Sequence, residues 1–493
     1  MRFRLDEKSS QTTTAPAAEA DTGTAERPVV FLVNQISSHG HLDMYARLYS
    51  ECFLQLGYRV ALIAEHEAGV VTWMSSRGWQ TGDFDFFSRS FLRGIRTKAK
   101  TGTATAKPVA RGGTALEVRR RKSSAARIKA IRGGAATREP VPLLVRILLV
   151  WREEGLIGIS LRLSVYGNRL RSLLLPWNPR IKRVEFTSLI RDIHSTAQQL
   201  CIKPSLVFFL YLDMIEESRR GCRALSRDLQ TPWAGILFHP RCLDGPDFRR
   251  CERFFYAARS AGAAFLNPYA MEGYGRMFPE RTFGIVPDVT EAELPAEQPH
   301  LVARLKHKAA GRKIVLLLGS ISPHKGVVEL IEVIKRSDST KFYFAIIGKV
   351  FWELFGPDAE LIRAFFNHLP ENCLVQTGYI KDESELNAVI ANVDILYAVY
   401  QNFKGSSNTL TKASIFEKPI VVSDESLMGE RVRSFRMGKV VNYRDINSIV
   451  QALSELAVET PDELGFAAYR NGHSLAALKT VLGELTQKWL AAI

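Results

Sequence analysis

The chain has little that would staple it covalently or anchor it in a bilayer. Its six cysteines, Cys52, Cys201, Cys222, Cys242, Cys251 and Cys373, form no CxxC pair and no zinc-like spacing. They read as buried free thiols in a reducing compartment. Long apolar runs are also missing. The most apolar window, Val141 to Trp151, is interrupted by Arg146 and is too short to cross a membrane. Residues 1–28 are rich in Thr, Ala, Ser and charge and lack the apolar stretch of a signal peptide. A disordered lead and a cytoplasmic protein are the expectations.

Acidic residues are scarce in one place. Leu92 to Gly133 holds thirteen Lys or Arg and one acid, Glu117, so this stretch carries most of the chain's net charge of +15. The remainder is close to neutral, and the overall basicity says little about the main body. At 493 residues, 46% hydrophobic and 24% charged, the chain is too long for one core and suits two or three globular domains.

The pattern that is present alternates strands and helices. Val29 to Asn34 reads as a buried parallel strand. A loop with His39, Gly40 and His41 follows, and then an amphipathic helix from Leu42 to Leu56. Gly57 stops that helix, and Arg59 to Ala64 reads as a second strand. Residues 92–192 interrupt the alternation as a basic and amphipathic insert. Strands resume at Ser205 to Tyr211, Gly235 to His239, Ala264 to Asn267 and Gly284 to Pro287. Asp288 to His300 reads as a linker. A second series of strands follows at Lys313 to Leu318, Tyr343 to Ile347, Leu374 to Gln376, Ile395 to Val399 and Ile420 to Val422. Expected units are therefore a lead over 1–28, a first α/β domain over 29–290, a second domain over 301–460 and a helical segment over 461–493. Two such halves would face each other across a cleft at the carboxyl ends of both sheets.

Two segments of the second half carry chemistry. In KIVLLLGSISPHKGVVELIEVI, a buried strand ends at Gly319 and Gly326 opens a helix, so backbone N–H groups can approach a phosphate closely. Lys325 adds a positive charge at the same place. An ordinary strand-to-helix turn with a solvated lysine is the plainer reading. In ILYAVYQNFKGSSNTLTKASIFEKP, the small residues Gly405, Ser406, Ser407, Asn408 and Thr409 would expose amides and hydroxyls to a phosphate. A helix N-cap by Ser or Asn is the alternative.

In this order, the two segments resemble the donor half of the family 4 retaining glycosyltransferases of the GT-B fold. That family shows G-R-L-x-x-x-K-G, which Gly319, Lys325 and Gly326 match while Ser320 stands at the arginine position. The first loop resembles the family's G-G-V-E-x-Y: Gly40 to Tyr45 and then Gly57 keep its spacing, with His41 at the second glycine. The resemblance spans roughly 29–90 and 200–455. It implies two Rossmann-like, doubly wound α/β domains, a nucleotide sugar as co-substrate and no metal cofactor. The family's two glutamates fall on Lys404 and Lys412. By resemblance, the second glutamate binds the donor ribose and the first lies near the transferred sugar. A lysine only donates hydrogen bonds and cannot accept one from a ribose hydroxyl. Either the two lysines face the diphosphate, or the nucleotide sits differently, or catalysis is lost.

In the first half, His239 follows the strand GILF and matches a family histidine near the transferred sugar; Asp213 occupies a similar strand end. Both are catalytic candidates, against a structural hydrogen-bonding role. His39 and His41 would need a third ligand to hold a metal, and none is visible. Residues 92–177 are either a solubilising linker or an anchor to an anionic membrane surface. Nucleic acid is not an expected partner, because the basic run has no interleaved aromatics. The expected function is sugar transfer to a glycan or lipid-linked acceptor; the alternative is a catalytically silent partner subunit of the same fold.

Overall fold

The computed structural model describes residues 27–35, 42–67, 69–89, 184–241 and 252–492. The expected disordered lead, the basic run 92–133, the helical stretch 141–177 and the loop holding His39, Gly40 and His41 lie outside the described residues.

The first sheet is parallel and seven-stranded. Its strands are β1 (Val29–Val33), β2 (Arg59–Ala64), β3 (Phe84–Ser88), β5 (Leu206–Phe209), β7 (Trp233–Leu237), β8 (Gly262–Phe265) and β9 (Thr282–Ile285). They are ordered β3-β2-β1-β5-β7-β8-β9. A short pair, β4 (Val184–Glu185) and β6 (Ile215–Glu216), stands apart. The helices of this half are α1 (Leu42–Gln55), α2 (Val70–Ser76), α3 (Phe186–Leu200), α4 (Arg219–Asp228) and α5 (Pro268–Met277). β1 is buried at all of its residues, which is why it is a continuous apolar run and not an alternating one. Its two faces feed two cores: Val30 and Leu32 pack towards α1, and Phe31 and Val33 towards α3.

The second sheet is parallel and six-stranded. It comprises β10 (Lys313–Leu318), β11 (Phe342–Gly348), β12 (Cys373–Thr377), β13 (Ile395–Ala398), β14 (Ile420–Ser423) and β15 (Gly438–Val441). The order is β12-β11-β10-β13-β14-β15. Its helices are α6 (His300–Ala309), α7 (Val327–Arg336), α8 (Asp358–Asn367), α9 (Glu383–Ala391), α10 (Asn408–Ile415), α11 (Ser426–Phe435) and α12 (Ile446–Leu456). In both sheets the strand order reverses beside the first strand. The loops after β1 and β5, and those after β10 and β13, therefore open the crevices in which ligands of doubly wound folds bind.

Several strands differ from the sequence reading. β3 was not expected; it is an edge strand whose alternation FDFFS leaves most positions half-buried. In the first half, β7, β8 and β9 begin two residues earlier than expected, at Trp233, Gly262 and Thr282.

The tail forms α13 (Glu463–Gly472) and α14 (Leu475–Ala491). α13 packs with Phe466 and Tyr469 in the second half's core. α14 returns to the first half: Leu478, Leu482, Leu485 and Trp489 complete its core, and the Trp489 indole N–H donates to the Thr282 carbonyl at 3.0 Å.

Candidate functional site

The second sheet's crevice is built from backbone. β10 ends at Gly319, whose φ of 109° carries the chain through a turn closed to most side chains. A short 3-10 turn over Pro323–Lys325 leads to Gly326, with φ 67°, and α7 begins there with no side chain capping it. A Cβ on Gly326 would stand 2.3 Å from the Val399 carbonyl oxygen. Only glycine lets the loop after β10 lie against the loop after β13. The two loops are also bonded directly, since the Gln401 N–H donates to the His324 carbonyl at 2.8 Å.

Three rings line this junction. His324 stacks on Phe403, with centroids 6.0 Å apart and planes at 16°. Tyr400 meets Phe403 edge-on at 5.4 Å. The Lys325 ammonium lies 3.8 Å from the centre of the Tyr400 ring. Burial, ahead of the charge of Lys325 and the proximity of His239, pushes the His324 pKa down to about 3, so its imidazole is neutral at neutral pH.

The first half contributes His239 from the end of β7. A Cβ on Gly405 would lie 3.4 Å from His239 Cε1, so the two halves touch at this glycine. His239 also faces Phe403, with centroids 6.4 Å apart. Asp213, in the turn Leu212–Met214 after β5, accepts the Phe238 N–H at 3.3 Å and braces the loop from which His239 follows.

Several of the expected donor-binding residues have protein partners in this structure. Ser406 and Asn408 do not offer their side chains to the cleft. Ser406 donates to Asp288 at 2.8 Å and accepts from Arg431 at 2.6 Å, while Asn408 donates to the Val289 carbonyl at 3.0 Å. Asp288 is buried between the halves and is also reached by the Tyr45 hydroxyl at 2.5 Å, while its carbonyl accepts from Thr411 at 2.7 Å. A buried carboxylate must be satisfied, and these side chains do it. Ser407 caps α10, accepting the Thr409 N–H, so the N-cap alternative holds for that residue. Lys412 is buried and forms an ion pair with Glu383 at 2.7 Å; its charge is matched inside the second half. Ser320 exchanges a hydrogen bond with the Tyr379 hydroxyl at 3.0 Å. Lys404 is exposed, and its carbonyl accepts from Asn267 of the first half at 2.8 Å.

Two hollows lie near these sheets. One of about 340 Å³, lined by Asp424, Glu425, Asn442, Tyr443 and Arg444, opens beyond the ends of β14 and β15. Another of about 400 Å³, between α3 and α4, lies at the opposite, N-terminal edge of the first sheet and belongs to no part of this site. Among the described residues, no cluster of His, Cys, Asp and Glu could hold a metal ion, and no helix is long and apolar enough to cross a membrane.

This architecture, two doubly wound sheets meeting through their loop ends, is that of the GT-B glycosyltransferases. Residues 312–458 match the family described as glycosyl transferases group 1, in line with the group 1 resemblance read from the motifs of that half. Over 139 residues the chain is 23% identical to an uncharacterized 41.2 kDa protein in the cps region of Klebsiella pneumoniae; the match covers 28% of this chain and 35% of that relative. The chain thus spans about a third of its curated relative's length. Solved structures resemble the fold end to end. Sucrose-phosphate synthase from Thermosynechococcus elongatus has a TM-score of 0.54 at 12% identity, covering 95% of this chain and 100% of its own. Trehalose 6-phosphate synthase from Burkholderia multivorans has a TM-score of 0.55 at 11% identity, covering 94% and 98%. Anabaena HepE, solved with UDP and glucose, has a TM-score of 0.52 at 10% identity, covering 94% and 100%.

Proposed function

We propose that the chain is a glycosyltransferase that moves a sugar from a nucleotide-sugar donor to a glycan or lipid-linked acceptor, with retention of configuration. The observation that carries the reading is the meeting of the Gly319–Gly326 turn, the Lys325 ammonium and His239 where the two crevices face each other. The match to group 1 glycosyl transferases over 312–458 supports it, and the cps-region relative supports a glycan as the product class.

In this reading the donor's diphosphate lies at the uncapped start of α7. The first-turn N–H groups and the helix dipole face it, and Lys325 neutralises the charge that develops on the leaving group. No metal is assigned to that task. The transferred sugar extends towards His239, and Asp213 keeps that histidine's loop in place. With Ser406 and Asn408 engaged by Asp288, the loop after β13 contributes its backbone and the exposed Lys404 instead of its hydroxyls. Closing the halves over the donor would keep water from competing with the acceptor. The basic residues of 92–177 place the enzyme at the cytoplasmic face of an anionic membrane. Deleting 92–133 should lower sedimentation with anionic liposomes, and equal sedimentation of both forms would count against that placement.

The test of the donor reading is a thermal-shift panel of UDP-, GDP- and ADP-sugars on the full chain, because a ligand held only by the native state raises its apparent stability. One nucleotide class should raise the melting temperature and be turned over with a suitable acceptor. No shift with any of them would sink the reading.

A further inference from the structure

The Lys325 ammonium makes no ion pair among the described residues and rests on an aromatic ring, with Nζ 3.8 Å from the centre of Tyr400. We propose that Tyr400 is a positioning residue for Lys325: its buried ring holds the ammonium where the donor's diphosphate arrives, with the charge left uncompensated for that anion. The proposal rests on the donor reading above and names a residue to which that reading gives no role.

Tyr400 is suited to this because it is buried and bordered on several sides. It is 1% exposed, just past the end of β13. Its hydroxyl lies 3.3 Å from Thr409 Oγ1, and its ring is walled by Phe403 at 5.4 Å and His324 at 6.1 Å. The loops carrying the two partners are joined through Gln401 and the His324 carbonyl. The two groups also influence each other electrically. Burial alone would raise the phenol's pKa, but the charge of Lys325, with hydrogen bonds involving Lys325, Thr409 and Ser407, brings it below the ordinary value.

A carboxylate would have fixed the lysine equally well but cancelled the charge it is meant to supply. A ring attracts a cation through its quadrupole and leaves its net charge available. A lysine already confined also loses less side-chain freedom when it meets an anion than one free in solvent. The ring therefore acts on binding through Lys325, and removing it should matter only while the lysine is present.

The experiment is a double-mutant cycle on the full chain, read by calorimetric titration with UDP, GDP and ADP, with thermal unfolding as the check that each variant folds. Tyr400→Leu should weaken binding of the preferred nucleotide about tenfold, the scale of a desolvated cation–ring contact. Tyr400→Phe, which keeps the ring, should recover most of that loss. In a Lys325→Ala background, Tyr400→Leu should add less than about twofold, as coupled partners do. Should Tyr400→Leu fail to fold, Tyr400→Met keeps more of the volume and takes its place. Unchanged or tighter binding in Tyr400→Leu would overturn the proposal, as would an equal loss with and without Lys325. If Lys325→Ala leaves all three nucleotides bound as before, the donor placement itself fails, and the positioning role with it.

Discussion

At the loop ends of the second sheet the site is framed by main chain, with two glycines of positive φ, a helix start with no side-chain cap and two loops bonded through backbone groups, around the Lys325 ammonium on the Tyr400 ring. At the loop ends of the first sheet it is made of side chains, His239 at the end of β7 and Asp213 bracing it from the turn after β5. Both sheets reverse their strand order in the same way. A diphosphate, shared by UDP-, GDP- and ADP-sugars, can be read by amide groups, whereas an acceptor that differs from enzyme to enzyme is read by side chains. The family match spans 312–458, within the second half.

Four measurements bear on this comparison. The largest effect is expected at Lys412, whose buried ion pair makes it part of the second half's framework. Lys412→Ala should cost about 3–5 kcal/mol in denaturant unfolding, the scale of stranding a buried partner charge. A stable variant with weakened nucleotide binding would return Lys412 to the donor site. Next is Gly326→Ala. Strain at φ 67° and the approach to the Val399 carbonyl should cost about 2–3 kcal/mol of stability and abolish nucleotide-induced stabilisation. A variant that keeps both would show that the main chain there is not special.

His239→Asn probes the side-chain half. We expect turnover to fall about tenfold while unfolding stays within about 0.5 kcal/mol of the natural protein. Unaltered kinetics with lowered stability would make His239 an interface residue alone. The smallest effect concerns acid. His324 is held near pKa 3 in the folded chain against an ordinary value of 6.5, so below about pH 6.5 the unfolded chain binds a proton that the folded one refuses. Stability contributed by this group is present above pH 6.5 and lost as pH falls from 6.5 towards 3. His324→Asn should therefore lose less stability between pH 7 and pH 5 than the natural protein, and an equal loss in both would assign the acid sensitivity elsewhere.

Much of the scaffold was legible in the sequence, and the reason is burial. Strands covered on both faces, such as VVFLV and KIVLLL, appear as continuous apolar runs, and glycines bound the turn that follows β10. The strands β3 and β15 escaped because each fully buries a single position, so no continuous apolar run announces it. The site was legible in its backbone and less so in its side chains. Nothing around Ser406 or Asn408 announces that their partner is Asp288, more than a hundred positions earlier in the chain. Nor does the lysine at 412 announce Glu383, which comes from α9. The aromatic setting of Lys325 was hidden likewise, since Tyr400 and Phe403 read as the tail of a strand and its loop until β10 and β13 are placed side by side.

The return of α14 to the first sheet has a consequence for the order in which the chain can fold as it leaves the ribosome. Synthesis delivers the first half early, yet the core beneath β1 and α1 lacks Leu478, Leu482, Leu485 and Trp489 until the whole second half has been made. The six-stranded sheet and the helices α6 to α12 draw on one contiguous stretch of chain, with only α13 added from the tail. The half made second is thus the first that can close most of its core, and the half made first waits, partly uncovered, for α14.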